Sequence, residues 1–460
     1  MKSESKHLLR DLVSFARGKG IAAQFWLHAE QSSLMRFANG AVSLNTTENL
    51  MTLDITAHRG NARGSCSLVT NMTERDRMQS AIIDADELAR HAVPLNYPLS
   101  FTPMAALPDD DRHVDKGILR LTAQEKLDYM AQTVTGIESP ELPLSGMFSS
   151  GAVWEAAANT LSDSVLYHAA TDAGVTVVLA HTRDKWELQA TQSATSVSEL
   201  NPATVHDELA LLLGHYAKAK PVTVPTGACD VVFGREALSE LVGFCNWLGF
   251  SGGSCKRKNT FLKEEDIGRN VFSSLVTFVD DPAERATYPY AFDCNGVARK
   301  PFPLVTDGVF NAFMWDRDSA DEFGQKETGH SVPERSFVMK PGTMKAASLA
   351  DVIALPRERD ILYLPFLHYM NCVNATEGIV TGCSRFGALL LKKDGSVQVP
   401  FNVRMTEKLS TLFGAVEWLS DTPVAVNTSS SYGTRTAAAV VVPAFMKVNN
   451  VTIPHVNTSF

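Results

Sequence analysis

The chain has 460 residues, 45% of them hydrophobic and 20% charged, with a formal net charge of -9. This composition excludes a disordered or membrane-embedded protein, and the length exceeds one ordinary core, so two or three domains are expected. The acidic balance argues against a broad duplex-DNA surface, which needs lysine and arginine in excess on one face.

Leu8, Leu9, Leu12, Val13, Phe15 and Ala16 form a helical stripe that Gly18 and Gly20 end. Charges within that stripe leave no signal-peptide core. Strand-like runs follow at 21–29, 33–38, 41–45, 50–58 and 62–69. Asn39-Gly40 between two of them is a hairpin signal, because both residues tolerate positive φ, and Arg59-Gly60-Asn61 is a second turn. A helix is expected over about 73–91, with Met78, Ala81, Ile82, Ala85, Leu88 and Ala89 on its buried side.

Residues 94–116, rich in proline and aspartate, read as a connection on the surface. Thr122-Ala123-Gln124-Glu125 is a capping-box pattern opening a helix that carries Leu127, Met130, Ala131 and Val134 and ends at Gly136. Strands are expected at 147–152, 165–171, 174–180 and 186–190, then a helix from Asn201-Pro202 to Tyr216. Residues 221–226 read as a linker. The organisation expected is α+β: an N-terminal α+β domain over 1–220 and a mainly β C-terminal domain over 221–460.

In the second half an apolar run at 230–233 turns at Gly234 into a helix, since Ala237, Leu238, Leu241, Val242 and Cys245 recur at helical spacing. Gly249, Gly252 and Gly253 with Lys256, Arg257 and Lys258 then predict a loop, and 271–279 a strand ending at Asp280-Asp281-Pro282. Hairpins are expected at 302–310 across Asp307-Gly308 and at 389–399 across 393–396. Residues 344–351 and 357–361 are too short to assign, 401–414 holds a strand or a helix start, and 424–426 and 437–442 finish the β core. The apolar run 437–446 is too short to span a bilayer and contains Pro443.

Several of these pieces, in this order, resemble the TldD/PmbA family, peptidase-related proteins also called modulators of DNA gyrase. Arg36-Phe37-Ala38-Asn39-Gly40 followed by His58-Arg59-Gly60-Asn61-Ala62-Arg63-Gly64 resembles the family's "R-x-x-N-G … G-x-x-R-G" pattern. Thr328-Gly329-His330 sits where members show Thr-Gly-Asn, 376–385 resembles the "T-G-x-x-S" segment near the family's channel, and 441–448 its closing strand. In the metal-binding branch the helix carries H-E-x-x-x-H; here those positions read Ser239-Glu240-Leu241-Val242-Gly243-Phe244. A hydroxyl and a phenyl ring do not replace two imidazoles on Zn²⁺. That branch also uses a late cysteine, and 431–460 contains none. The chain therefore resembles the metal-lacking branch. The resemblance implies a chamber enclosed by dimerisation and no cofactor of the chain's own, with zinc expected only in a partner subunit.

The twelve histidines include no H-E-x-x-H and no pair four residues apart. Glu240 is the candidate catalytic base, although a lone glutamate on an amphipathic helix is ordinarily solvated or ion-paired. His330 and His368 fall in segments resembling channel-lining ones, and Ser384, Arg385 and Lys256 complete the candidate substrate contacts; each also reads as a structural or surface residue. Ser239, Cys383 and Ser384 suggest a nucleophile, but the spacing shows no partnered base. Seven scattered cysteines without a C-x-x-C pair point to reduced thiols in a cytoplasmic protein, not to a zinc ribbon. The glycines of 249–253 lack a P-loop Lys-Ser/Thr, so nucleotide binding is not expected.

The expected function is that of a metal-free subunit that helps enclose a peptide-binding chamber for proteolysis of unfolded or short peptides. Its expected partners are a peptide substrate and either a second copy or a zinc-bearing TldD-like subunit, with no nucleic acid and no membrane. A peptide held there as an added β-strand is bound through main-chain hydrogen bonds that tolerate many sequences. The alternatives are a stand-alone homodimeric enzyme with non-zinc chemistry in the same chamber, and a non-catalytic peptide-binding protein.

Overall fold

Asn39 and Gly40 take φ of 53° and 73°, the left-handed pair of a tight hairpin. They join β1 (Ala22–Ala38) to β2 (Ala41–Arg59), antiparallel along nearly their whole length. The computed structural model describes residues 1–288, 290–332, 335–429 and 434–460. The interruptions expected at 30–32 and 46–49 are absent. Ser32 Oγ donates to Glu30 Oε1 at 2.8 Å, so these polar residues are satisfied inside a strand, and 41–49 is exposed, where polar side chains carry no burial penalty.

β3 (Ala62–Val69), β4 (Asp110–His113), β5 (Leu144–Asn159), β6 (Leu166–Ala180) and β7 (Glu187–Ala194) complete a seven-stranded sheet. Its order is β3-β2-β1-β5-β6-β4, with β7 also beside β6. The runs 165–171 and 174–180 are thus one strand. The connection at 94–116 is also corrected: β4 pairs parallel with β6, and Met104, Asp110 and His113 are buried.

α1 (Lys2–Gly18) and α2 (Arg75–His91) pack Leu8, Leu12, Met78 and Ile82 on Phe25, Leu53 and Ile55. Leu88, expected on the buried side, is 52% exposed. α2 lies so close to β3 that a Cβ on Gly64 would sit 2.2 Å from Ala85 O; no room for a leucine is left beneath, and Leu88 turns outward. α3 (Lys116–Arg120), α4 (Ala123–Thr133) and α5 (Pro202–Tyr216) follow. The capping box forms as expected, with Thr122 Oγ1 accepting from Glu125 N at 3.2 Å and Glu125 Oε2 accepting from Thr122 N at 2.8 Å. Leu209 and Leu212 of α5 share one hydrophobic cluster with Val232, Tyr363 and Leu389, so apolar packing runs across the 221–226 link.

In the second half β8 (Gly227–Gly234) lies inside a six-stranded sheet, parallel to Ile361–Leu364 and antiparallel to Phe445–Ile453. Gly234 leads into α6 (Arg235–Gly249) where a Cβ would lie 3.0 Å from the Tyr363 hydroxyl. Ala237, Leu238, Leu241, Val242 and Cys245 bury against Phe233, Phe278 and Phe337. After α6 comes a short helix, α7 (Gly252–Lys256), in place of the expected loop. Ser251 Oγ caps it by accepting from Ser254 N at 3.2 Å, and the bare Gly252 backbone lies against the Trp315 ring. Within 271–279 only Phe278–Asp280 becomes strand. Val271 N and Ser273 N instead donate to Gly308 O and Phe413 O, which removes any need for a ladder.

The hairpins at Phe302–Thr306/Val309–Phe310 and Leu389–Leu391/Val397–Gln398 form as expected. Residues 401–414 hold both alternatives, the strand Val403–Lys408 and the helix Leu409–Gly414. A second six-stranded sheet ends in the edge strand Pro423–Asn427, and a four-stranded sheet in the edge strand Phe366–Asn374. No helix among the described residues is long and apolar enough to cross a membrane.

Candidate functional site

Three sheet edges meet over α6. β7, Pro423–Asn427 and Phe366–Asn374 each end their sheet, and residues of all three line a cavity of about 690 Å³ together with Glu236, Ser239 and Glu240. A strand edge presents unpaired N–H and C=O groups, which is the requirement for adding a peptide strand.

Glu240 projects from α6 into this cavity, open to its solvent yet hemmed by the walls, and burial pushes its carboxyl up. Glu236, one turn earlier, is buried. Arg235 Nε lies 2.8 Å from its carboxylate and Arg235 Nη2 2.7 Å from that of Glu208, while Thr191 Oγ1 donates to Glu236. Opposite α6, Asp172 of β6 accepts from Arg435 Nε at 2.8 Å and from Asn427 Nδ2 at 2.9 Å. Asn427 N in turn donates to Ser193 Oγ of β7 at 2.6 Å, clamping one edge strand to another. His368 lines the same space from Phe366–Asn374; burial and then Arg385 lower its pKa, leaving a neutral imidazole near pH 7.

The other sequence-predicted residues are dispersed. His330 lines a separate cavity of about 640 Å³ with Trp26, Asp54 and Arg317. Its Nε2 is 3.2 Å from Asp280 Oδ2, and its Nδ1 2.7 Å from Thr328 Oγ1. Ser384 is buried, its Oγ accepting from Val403 N at 2.9 Å. Arg385 grips Glu187 with Nε–Oε2 2.6 Å and Nη2–Oε1 3.1 Å, over the Phe386 ring. Lys256 Nζ pairs with Glu264 Oε1 at 2.6 Å. Of the residues singled out in the sequence, Glu240, His368 and Ser239 share the cavity over α6. Sequence reasoning missed Asp172, Glu236, Asn427 and Arg435. Glu236 was within reach, lying on the helix already singled out; the others converge from positions far apart in the chain.

The donor set on α6 does not fit a divalent metal. Ser239 Oγ is committed to Glu236 O at 2.8 Å, and the Phe244 ring packs edge-on against Trp247 at 5.8 Å. Among the described residues no three His, Cys, Asp or Glu side chains converge as metal ligands.

The fold and this site define an α+β protein with a cavity bounded by α6 and three sheet edges. The family model for the PmbA/TldA metallopeptidase C-terminal domain matches residues 226–455. The chain belongs to the PmbA/TldD family. Its fold is similar to TldE from Thermococcus kodakarensis, with a TM-score of 0.81, 14% identity, and 97% of this chain and 100% of that one covered. A protein described as a candidate modulator of DNA gyrase from Bacteroides thetaiotaomicron superposes with a TM-score of 0.79, 15% identity and coverage of 98% and 99%. One so described from Thermotoga maritima gives 0.77, 14%, 97% and 99%. Protein MJ0231 of Methanocaldococcus jannaschii, which has no assigned function, is 28% identical over 103 residues, spanning 22% of this chain and 24% of that relative.

Proposed function

We propose that this chain is a metal-free peptide-binding subunit of the PmbA/TldD type, enclosing a chamber in which an unfolded or short peptide is held as an added strand. The observation that carries the reading is the convergence of three sheet edges on one cavity over α6. Main-chain recognition selects for extended, unstructured chain over any one side chain. Glu240, the carboxylate that a zinc peptidase would use as its base, has no metal-bound water to act on here, because Ser239 and Phe244 offer no ligands.

In this reading hydrolysis belongs to a zinc-bearing relative in a mixed dimer, and this chain supplies binding. The test is peptide cleavage by the pure chain, by the zinc-bearing relative and by their mixture, with binding of a fluorescent unstructured peptide measured in parallel. Binding by the pure chain, with cleavage only when the relative is present, is expected. A pure chain that neither binds peptide nor alters the relative's cleavage contradicts the proposal.

A further inference from the structure

Two carboxylates on the wall of the cavity over α6 are compensated within the chain. Glu236 faces the Arg235 guanidinium, and Asp172 is gripped by Arg435. Glu240 differs. Among the described residues no side chain bonds or pairs with its carboxylate, and burial alone shifts it, so neither Arg36, which also lines the cavity, nor any other charge offsets it. A carboxylate hemmed by protein walls loses part of its hydration, and a cation brought by a ligand makes good that loss.

A second group in the cavity also lacks a partner. β7 alternates: Leu188 and Ala190 enter the core, whereas Gln189, Thr191 and Ser193 face the cavity. Thr191 Oγ1 is taken by Glu236, and Ser193 Oγ accepts from Asn427 N. Gln189 is only 9% exposed, yet among the described residues nothing hydrogen-bonds its carboxamide, whose polar atoms stay accessible from the cavity. A buried amide without a bond costs free energy. Its acceptor oxygen and donor NH₂ match the N–H and C=O of a peptide unit.

We propose that the cavity over α6 prefers peptides carrying a positive charge, with Glu240 receiving a basic side chain or a free N-terminal amine and Gln189 bonding the peptide main chain. This inference deepens the peptide-binding reading above and rests on it. Main-chain bonds hold any extended segment, and the uncompensated carboxylate adds a bias at one position. No bond of the peptide is broken. A guanidinium suits the place, because its planar fork gives two parallel bonds to a carboxylate. Phe366 and Phe386, also on the wall, offer apolar cover for the stem of a long basic side chain.

The test measures binding of fluorescent, N-acetylated, unstructured peptides of one length that differ at a single position, arginine or its uncharged analogue citrulline. A third peptide, with citrulline and a free N-terminus, separates the two sources of charge. The arginine peptide is expected to bind about tenfold tighter than the acetylated citrulline peptide, and the preference to shrink at high salt. Glu240→Gln keeps the shape and removes the charge; it is expected to abolish the preference while the citrulline peptide still binds. Gln189→Ala is expected to weaken both acetylated peptides alike, by about fivefold, with the preference retained; equal affinity before and after that substitution overturns the role of Gln189. Circular dichroism of both variants separates a folding defect from a lost contact. A gain for the free N-terminus alone, lost in Glu240→Gln, upholds the site with the amine as its ligand. Equal affinities for all three peptides, or a preference that Glu240→Gln leaves intact, overturns this inference while the peptide-binding function stands. Failure of every peptide to bind overturns that function, and this inference with it.

Discussion

Arg435 lies flat against Asp172, with Nε 2.8 Å from Oδ1 and Nη2 2.7 Å from Oδ2, although 263 positions separate them in the chain. Both side chains are buried, and Arg435 N also donates to Glu30 Oε2 at 2.6 Å. One residue of the C-terminal half thereby grips two strands of the N-terminal sheet beside the cavity. Removing one partner leaves a buried charge uncompensated, which costs about 3–5 kcal/mol. Arg435→Met is expected to lower stability by that amount in denaturant unfolding. Adding Asp172→Asn to it is expected to recover part of the loss, because the orphaned carboxylate is gone.

His28 reports on the same face. Its Nδ1 is 2.5 Å from Glu155 Oε1 and its Nε2 2.9 Å from Glu30 Oε2. Burial disfavours the imidazolium, but Glu155 and Glu30 outweigh it and raise the pKa from 6.5 to about 10. A histidine raised in the folded chain contributes stability that is complete below the unfolded value of 6.5 and is lost as pH rises through 10. Glu155, raised by burial, acts with the same sign from its ordinary 4.5 upward. Unfolding free energy is expected to fall by on the order of 2–4 kcal/mol between pH 6.5 and 10, and His28→Gln to flatten that slope. An unchanged slope in the variant contradicts the assignment.

Signals that act within a few residues were legible in the sequence. Asn39-Gly40, the Thr122/Glu125 capping box and the Asn201-Pro202 helix start all appear where local chemistry put them. What was not legible depends on distant partners. Glu30, Gln31 and Ser32 look like a strand break until His28 and Arg435 N are seen to satisfy the glutamate. Asp110 and His113 look like surface residues until β4 is seen beside β6. The site divides in the same way: Glu240 was marked by the α6 pattern, whereas Asp172, Asn427 and Arg435 meet only through contacts between distant parts of the chain.

Gly252, at the start of α7, lies against the Trp315 ring. A Cβ there would lie 2.3 Å from the Trp315 ring, too close for the indole to stay in place. Gly252→Ala is expected to destabilise by about 1–3 kcal/mol through overpacking, read as a lowered melting temperature. Gly268→Ala, with open space but a φ of 79°, tests backbone strain without a clash and is expected to cost on the order of 1 kcal/mol.

Glu240 is exposed within the cavity, so Glu240→Arg is expected to keep the fold and change stability by less than about 0.5 kcal/mol. Its longer, oppositely charged side chain would crowd the space between α6 and the strand edges. Unstructured-peptide affinity is expected to fall about tenfold, an effect of about 1.4 kcal/mol. Full retention of affinity would place the peptide elsewhere.

The most direct test is metal analysis of the purified chain, coupled to peptide binding before and after exhaustive chelation. A chain without stoichiometric zinc, whose peptide affinity and melting temperature are unmoved by the chelator, is the predicted result. Stoichiometric zinc held on α6, with peptide hydrolysis by the chain alone that chelation abolishes, would contradict it.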